Sequence, residues 1–225
     1  MSGLLWLCIT IIIYWSSKRL YRIYPRLWLT PLLVTPVIII TIIEFSKISF
    51  TTYNRGAGFL TDMIEPATIA LAVMLYKHLD VLKKNVLLIA SSVCCGAIAS
   101  VITSLGFARL FGLDMQMMES LAPRSATTPI ALSISQMIGG LPTITAVATL
   151  ITGLLGMIVG PLIVKWFSIR NPVARGVLFG TSAHSAGISK ALEYGAVTGS
   201  AAGIAMLIAA FATLCVTPWI VSFIL

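Results

Sequence analysis

The run from Ser125 to Pro129 places three hydroxyl groups and a proline inside an almost wholly apolar stretch. Irregular polar backbone at bilayer depth is tolerated only where it is buried in protein or lines a cavity. Thr128 and Pro129 predict a helix start, because threonine caps helices well and proline has no N–H to leave unpaired in the first turn. The free N–H groups and positive dipole end of such a half-helix favour a carboxylate. We therefore expect Ser125, Thr127, Thr128 and Pro129 to contribute to a binding site for a small polar solute.

A second proline offers a matching arrangement earlier in the chain. Glu65 and Pro66 could open another half-helix, again at the edge of an apolar run. For both prolines the alternative is a plain kink in a spanning helix.

The second polar cluster spans residues 180–187 and contributes Thr181, Ser182, His184 and Ser185 as candidate solute ligands. Small residues there let two backbones approach closely, while the hydroxyls and the imidazole offer donors to an anion. An ionisable side chain inside a membrane is a functional-site hypothesis by default, and His184 could also take up a proton during transport. The alternative for His184 is a structural hydrogen bond between helices.

Gly139 and Gly140 mark a turn between the first polar segment and the next helix, where a hinge is the functional hypothesis and a plain turn the alternative. The sequence contains no nucleotide-binding loop, metal-ligand set or nucleophile–base pair. The four cysteines lie in apolar segments without ligand-type spacing. We therefore expect neither an enzyme, nor a cofactor, nor a metal site.

The composition indicates an integral membrane protein. Apolar residues make up 58% of the 225 positions and only 10% are charged, and the mean hydropathy is +1.01. A net charge of +8 would suggest a nucleic-acid partner in a soluble protein. Here the basic residues gather in short loops beside apolar segments, where they set membrane topology. The expected surroundings are a lipid bilayer, with no nucleic acid.

The chain is expected to form one all-α, polytopic membrane helix bundle over residues 1–225. A span needs about 20 apolar residues, and six segments meet that length approximately: 3–17, 27–45, 58–76, 86–107, 143–165 and 197–224. The basic loop from Lys18 to Arg26 places the N-terminus outside, and the loop from Lys77 to Lys84 agrees with that orientation.

Two further segments, 120–137 and 176–192, are too polar and glycine-rich for ordinary spans. If both are re-entrant, Lys165, Arg170 and Arg175 lie inside, as the charge rule favours. Six spans with two re-entrant or broken segments is therefore the expected architecture, and eight crossings is the alternative.

An internal duplication is a further hypothesis. A shift of 61 residues superposes Ile69–Ala70–Leu71 on Ile130–Ala131–Leu132 and Ser91 on Thr152. Chance matching between apolar segments is the alternative.

Four motifs together resemble the LrgB/CidB/YohK family of bacterial membrane proteins from end to end. They are EPATIALAVMLY at 65–76, PRSATTPIALSIS at 123–135, IGGLPTITAV at 138–147 and ARGVLFGTSAHSAGISKALE at 174–193. The resemblance implies a multi-pass protein of the bacterial cytoplasmic, or inner, membrane.

The resemblance implies two functions from different classes. One is secondary transport of small monocarboxylates such as pyruvate, glycolate or glycerate, with which the hydroxyls and half-helix agree. The other is a holin- or antiholin-like role, in which the protein regulates murein hydrolase activity and autolysis with a small LrgA/CidA-type partner. A homo-oligomer is expected in either case.

Overall fold

The fold is all-α. The structure is a computed structural model and describes residues 2–24, 29–63, 66, 69, 73, 76–77 and 79–224. Within these ranges the helices are α1 (Ser2–Ile23), α2 (Pro31–Phe45), α3 (Phe50–Asp62), α4 (Leu79–Lys84), α5 (Val86–Leu110), α6 (Met115–Leu121), α7 (Thr128–Ile138), α8 (Pro142–Trp166), α9 (Pro172–Glu193) and α10 (Ala196–Ile224).

The contacts group the chain into two compact units, Met1–Ala72 and Val73–Leu225. The prediction of one membrane domain over the whole chain stays a prediction. In the first unit α1 packs on both α2 and α3. The rings of Trp6 and Tyr53 meet edge to face at 5.8 Å, and a Cβ on Gly56 would collide with the backbone of Gly3.

Three of the described helices are long and apolar enough to cross a membrane: α5, α8 and α10. They coincide with the predicted spans 86–107, 143–165 and 197–224. The predicted span 58–76 is wrong in its first residues, because 58–62 are the last residues of α3, which ends at Asp62. Most of the remaining residues of this span lie outside those that the structure describes. Helix α3 begins at Phe50 because the Ser49 side chain accepts a hydrogen bond from the Thr52 N–H. A local cap thus outweighs the polar composition of residues 51–55.

Helix α9 reverses direction at His184, whose φ of 50° and ψ of −132° are not helical. Its arms, 172–183 and 185–193, fold back on each other. A Cβ on Gly187 would collide with the carbonyl oxygen of Phe179, and the rings of Phe179 and Tyr194 lie 5.5 Å apart. A continuous helix would separate those two residues by about 22 Å. Residues 172–193 therefore form a hairpin, here called the second hairpin.

Helices α6 and α7 form a first hairpin, residues 115–138, whose chain reverses at 122–127. Ser120, in the last turn of α6, accepts a hydrogen bond from the Leu141 N–H at 2.7 Å, and the Thr145 hydroxyl lies 2.8 Å from the Ser120 carbonyl oxygen. Ile138, at the end of the hairpin, packs against the cluster that contains Met118. The ends of α6 and of α7 thus both lie beside the first turn of α8.

The two hairpins enter from opposite ends of α8. The first ends four residues before α8 begins at Pro142, and the second starts six residues after α8 ends at Trp166. Because α8 has 25 residues, its ends lie about 37 Å apart. Only the tips of the two hairpins can therefore meet.

Candidate functional site

The tips of the two hairpins meet at one hydrogen bond. Nε2 of His184 lies 2.8 Å from the carbonyl oxygen of Ser125. A carbonyl oxygen only accepts, so Nε2 carries the proton and donates. His184 is buried, and its Nδ1 side faces Gly153 of α8, where an added Cβ would lie 3.8 Å away. This bond joins the centres of the two polar segments that the sequence singled out.

Beside the meeting point lies a cavity of about 450 Å³. Its wall combines helices α5, α8 and α10 with the first arm of the second hairpin and the tip of the first. The polar side chains in its lining are Ser100, Arg124, Ser125, Thr152, Thr181 and Ser182. Leu155, Val159, Ile163 and Leu178 supply much of the apolar surface. A volume of this size and a mainly apolar wall with a few polar groups are typical of small-molecule sites.

Arg124 is the charged side chain of this lining. Its Nε donates a hydrogen bond to the Ser104 hydroxyl, and Nη1 lies 3.4 Å from the Thr152 hydroxyl. A guanidinium has five N–H donors, so three remain for other partners. Over the ranges that the structure describes, Lys190 with Glu193 is the ion pair found, and no carboxylate pairs with Arg124. The cavity therefore presents an anchored cation without an internal counter-ion.

The hydroxyl of Ser125 is buried and has no hydrogen-bond partner. Three other hydroxyls of the lining differ from it. Thr152, Thr181 and Ser182 each donate to a carbonyl oxygen four residues earlier in their own helices, at 2.8, 2.8 and 2.6 Å. The Ser125 hydroxyl is thus a donor without a partner among the described residues, and it stands next to Arg124 in the sequence. Arg124 and Ser125 both belong to residues that line the cavity.

The structure brings together only part of the predicted site. Ser125, Thr181 and Ser182 line the cavity. His184 does not line it, but its hydrogen bond to the Ser125 carbonyl oxygen joins the tips of the two hairpins. Helix α7 does begin at Thr128 after Thr127, which makes no side-chain capping bond. The remaining predicted ligands Thr127, Thr128, Pro129 and Ser185 lie outside the lining, and the last three are exposed. Their role as ligands stays a prediction.

The predicted hinge glycines and the predicted second half-helix are placed differently by the structure. Gly139 ends α7 with a left-handed φ of 97°, and a Cβ on Gly140 would lie 2.8 Å from the Ser120 nitrogen. This explains the two glycines as a tight turn, and the hinge stays a prediction. Pro66 is exposed, whereas Glu65 lies outside the described residues.

Sequence reasoning missed Arg124. Its signal was present, because Arg124 is an ionisable residue beside a proline within an apolar stretch, the same argument that selected His184. Ser104 and Thr152, which anchor it, carry no such signal.

Comparison with known proteins identifies the family. The LrgB-like family pattern matches residues 10–223. The chain belongs to the LrgB-like family. This LrgB-like protein is 43% identical over 221 residues to the uncharacterized protein YwbG of Bacillus subtilis, covering 98% of both chains. It is 38% identical over 195 residues to the antiholin-like protein LrgB of Bacillus cereus, covering 87% of this chain and 85% of the relative.

A further relative is the uncharacterized protein YxaC of Bacillus subtilis, 35% identical over 202 residues and covering 90% of this chain and 88% of its own. No solved structure matches the chain significantly. The family match and the long apolar helices make this a multi-pass membrane protein of the LrgB-like family. The Bacillus cereus relative is named an antiholin-like protein.

Proposed function

We propose that this protein is a secondary carrier of small monocarboxylates across the bacterial cytoplasmic membrane. The observation that carries the proposal is the cation in the cavity, Arg124, which has three unused N–H donors beside the unpaired hydroxyl of Ser125. A guanidinium matches a carboxylate with two parallel hydrogen bonds. Because one guanidinium balances one negative charge, the site favours a monocarboxylate over a dicarboxylate.

The apolar wall supports a small solute with a short carbon skeleton. Leucine, isoleucine and valine side chains belong to the lining of the cavity. Such a wall binds the carbon end of a small acid and offers nothing to a second charged group. Pyruvate, glycolate and glycerate fit this description.

The proposed arrangement in the membrane is six spans with two re-entrant hairpins. Lys165, Arg170 and Arg175 lie at the base of the second hairpin, and Asp114 and Glu119 lie at the base of the first. Since cytoplasmic loops are rich in Lys and Arg, the second hairpin enters from the cytoplasm and the first from outside. Two short broken segments that meet at mid-depth are the usual site architecture of secondary carriers.

The second candidate is a regulator of autolysis that acts with a small LrgA/CidA-type membrane partner. The observation in its favour is the name of the relatives, antiholin-like protein LrgB, at 38% identity. This role requires apolar helices that assemble with copies or partners, but it does not require a solute-sized cavity with an unpaired cation. The two candidate functions therefore differ in the role of Arg124: the carrier needs it to bind the solute, whereas the regulator does not.

The test is uptake of labelled pyruvate, glycolate and glycerate by proteoliposomes that contain only this protein. A carrier gives saturable uptake that the other two acids inhibit, and Arg124→Gln strongly reduces this uptake. The matched control is Arg109→Gln, which removes an equal charge from an exposed position near the end of α5. Release of a large dye together with unsaturable entry of all three carboxylates would overturn the carrier and support the holin-like role.

A further inference from the structure

One more hydroxyl of the cavity lining has no hydrogen-bond partner. Ser100 lies within α5 and lines the cavity. Its carbonyl oxygen accepts a bond from the Thr103 hydroxyl, but over the described residues the Ser100 hydroxyl itself makes no bond. Thr103, on the same helix, donates instead to the carbonyl oxygen of Ala99, four residues earlier. The Ser100 hydroxyl is thus a donor and an acceptor that the helix does not use.

Helix geometry places Ser100 one turn away from the anchor of the cation. Residues four apart lie on the same face of a helix, so Ser100 shares its face with Ser104, whose hydroxyl binds Nε of Arg124 at 2.5 Å. The two serines are separated by about 6 Å along the helix axis. Gly96, four residues before Ser100, also lines the cavity. This face of α5 therefore carries both the anchor of Arg124 and the unpaired hydroxyl.

A spacing of one helical turn suits a small solute that contacts both groups. A bond from a guanidinium N–H to a carboxylate oxygen is about 2.8 Å long, and a bond between two hydroxyl groups has a similar length. In a 2-hydroxy or 2-keto acid the carboxylate and the second oxygen are carried by adjacent carbon atoms. Such an acid is short enough to place its carboxylate on Arg124 and its second oxygen on Ser100.

A serine hydroxyl suits both kinds of second oxygen. It donates to the keto oxygen of pyruvate, and it also accepts from the hydroxyl group of glycolate or glycerate. An acid without an oxygen on carbon 2 leaves the Ser100 hydroxyl without a partner when it displaces water, and an unsatisfied polar group is costly. A site that hydrogen-bonds a solute oxygen thereby disfavours the analogue that lacks this oxygen.

We propose that Ser100 is a specificity-determining residue, which selects monocarboxylates that carry an oxygen on carbon 2. Arg124 binds the carboxylate, and the Ser100 hydroxyl binds the second oxygen. This inference rests on the proposed carrier function. It adds a selectivity that Arg124 alone does not provide, because a guanidinium pairs with any carboxylate.

The experiment compares glycolate with acetate, two acids that differ only in the hydroxyl group on carbon 2. Each is titrated into the purified protein in detergent, and the native protein should bind glycolate more tightly. Ser100→Ala should weaken glycolate binding by about three- to tenfold, the value of one neutral hydrogen bond. It should leave the affinity for acetate within about twofold of the native value. Pyruvate and propionate form a second pair, which should respond in the same way.

The matched control is Ser91→Ala, the same substitution at an exposed position of α5. The Ser91 hydroxyl donates to the Leu88 carbonyl oxygen at 3.2 Å, and the variant should change the affinity for neither acid. Arg124→Gln is the complementary variant. Because both acids carry the carboxylate, it should weaken both to a similar extent and preserve their affinity ratio. Thermal unfolding checks the fold of each variant, and Ser100→Cys, of similar size but a weak hydrogen-bonding group, replaces Ser100→Ala if that variant does not fold.

The ratio of the two affinities is the decisive quantity. A glycolate-to-acetate ratio that stays at the native value in a folded variant at position 100 would overturn the role of Ser100, whether both affinities are unchanged or both fall equally. If both acids still bind through Arg124, that result refutes the selectivity alone and leaves the carrier in place. Absence of binding of all four acids to the native protein would overturn the proposed function and this inference together.

Discussion

Neutralising Arg124 should weaken binding of a small carboxylate by about ten- to a hundredfold. Arg124→Gln keeps a polar side chain but removes the charge and most of the N–H donors that face the cavity. Losing a charge-assisted hydrogen bond costs roughly 1.5–3 kcal/mol, and about 1.4 kcal/mol corresponds to a factor of ten in affinity. The Coulomb attraction of two unit charges at about 4 Å, roughly 4 kcal/mol at an effective dielectric constant near 20, sets the upper limit.

The structural role of Arg124 has to be separated from its role in binding. The variant also loses the bond from Nε to the Ser104 hydroxyl, which contributes about 1 kcal/mol to stability. Ser104→Ala removes that bond and leaves the charge in the cavity, so it should lower the melting temperature without a large change in solute affinity. Arg124→Lys keeps the charge but not the planar fork, and it should fall between the two.

The assay is isothermal titration of pyruvate, glycolate and glycerate into the purified protein in detergent, with thermal unfolding followed in parallel. A folded Arg124→Gln protein whose affinity stays within about twofold of the native value would remove Arg124 from the site. An equal loss of affinity in Ser104→Ala would show that the bond, and not the charge, matters. Either result would refute the assignment of the cavity as an anion site.

Three other outcomes are expected. Ser125→Ala should weaken solute binding by about three- to tenfold, since a neutral hydrogen bond is worth roughly 0.5–1.5 kcal/mol, whereas Ser185→Ala, at an exposed position, should match the native protein in the same titration. Gly156→Ala should lower the melting temperature, because its Cβ would collide with a carbonyl of the second hairpin and overpacking costs about 1–3 kcal/mol; Gly106→Ala, which meets nothing within 4 Å, should not. A single cysteine at Ser168 should be shielded from impermeant thiol reagents in intact cells and reactive in inside-out vesicles, and the reverse would favour eight crossings.

The hairpin positions could be predicted from the chain because their signals are local. Proline, serine and threonine at 125–129 and the glycines around His184 conflict with a continuous apolar helix wherever they stand. The same holds for the three long helices, whose length and apolar composition are enough to recognise them. Predicted boundaries were less reliable: the predicted span 58–76 begins inside α3, which starts after the Ser49 cap and ends at Asp62, because capping depends on single side chains and not on apolar composition.

The choice among the candidate ligands could not be predicted, because it depends on distances between segments. Thr128 and Ser125 belong to the same motif, yet one is exposed and the other lines the cavity. The difference is set by the chain reversal at 122–127, which turns Ser125 inward and Thr128 outward. His184 was predicted as a ligand from its composition, and in the structure its Nε2 donates a hydrogen bond to the carbonyl oxygen of Ser125. Its role as a ligand stays a prediction.

The sequence by itself determined the class of the molecule: a membrane protein of helices, with two interrupted segments and the motifs of its family. These properties depend on local sequence, because hydropathy, helix capping and the effects of proline each involve residues close together in the chain. Only the tertiary structure decided that Arg124 and Ser125 share a cavity with Ser182. That arrangement depends on the close approach of helices at Gly156 and on the reversal at His184, where residues far apart in the chain come within a hydrogen-bond length of each other.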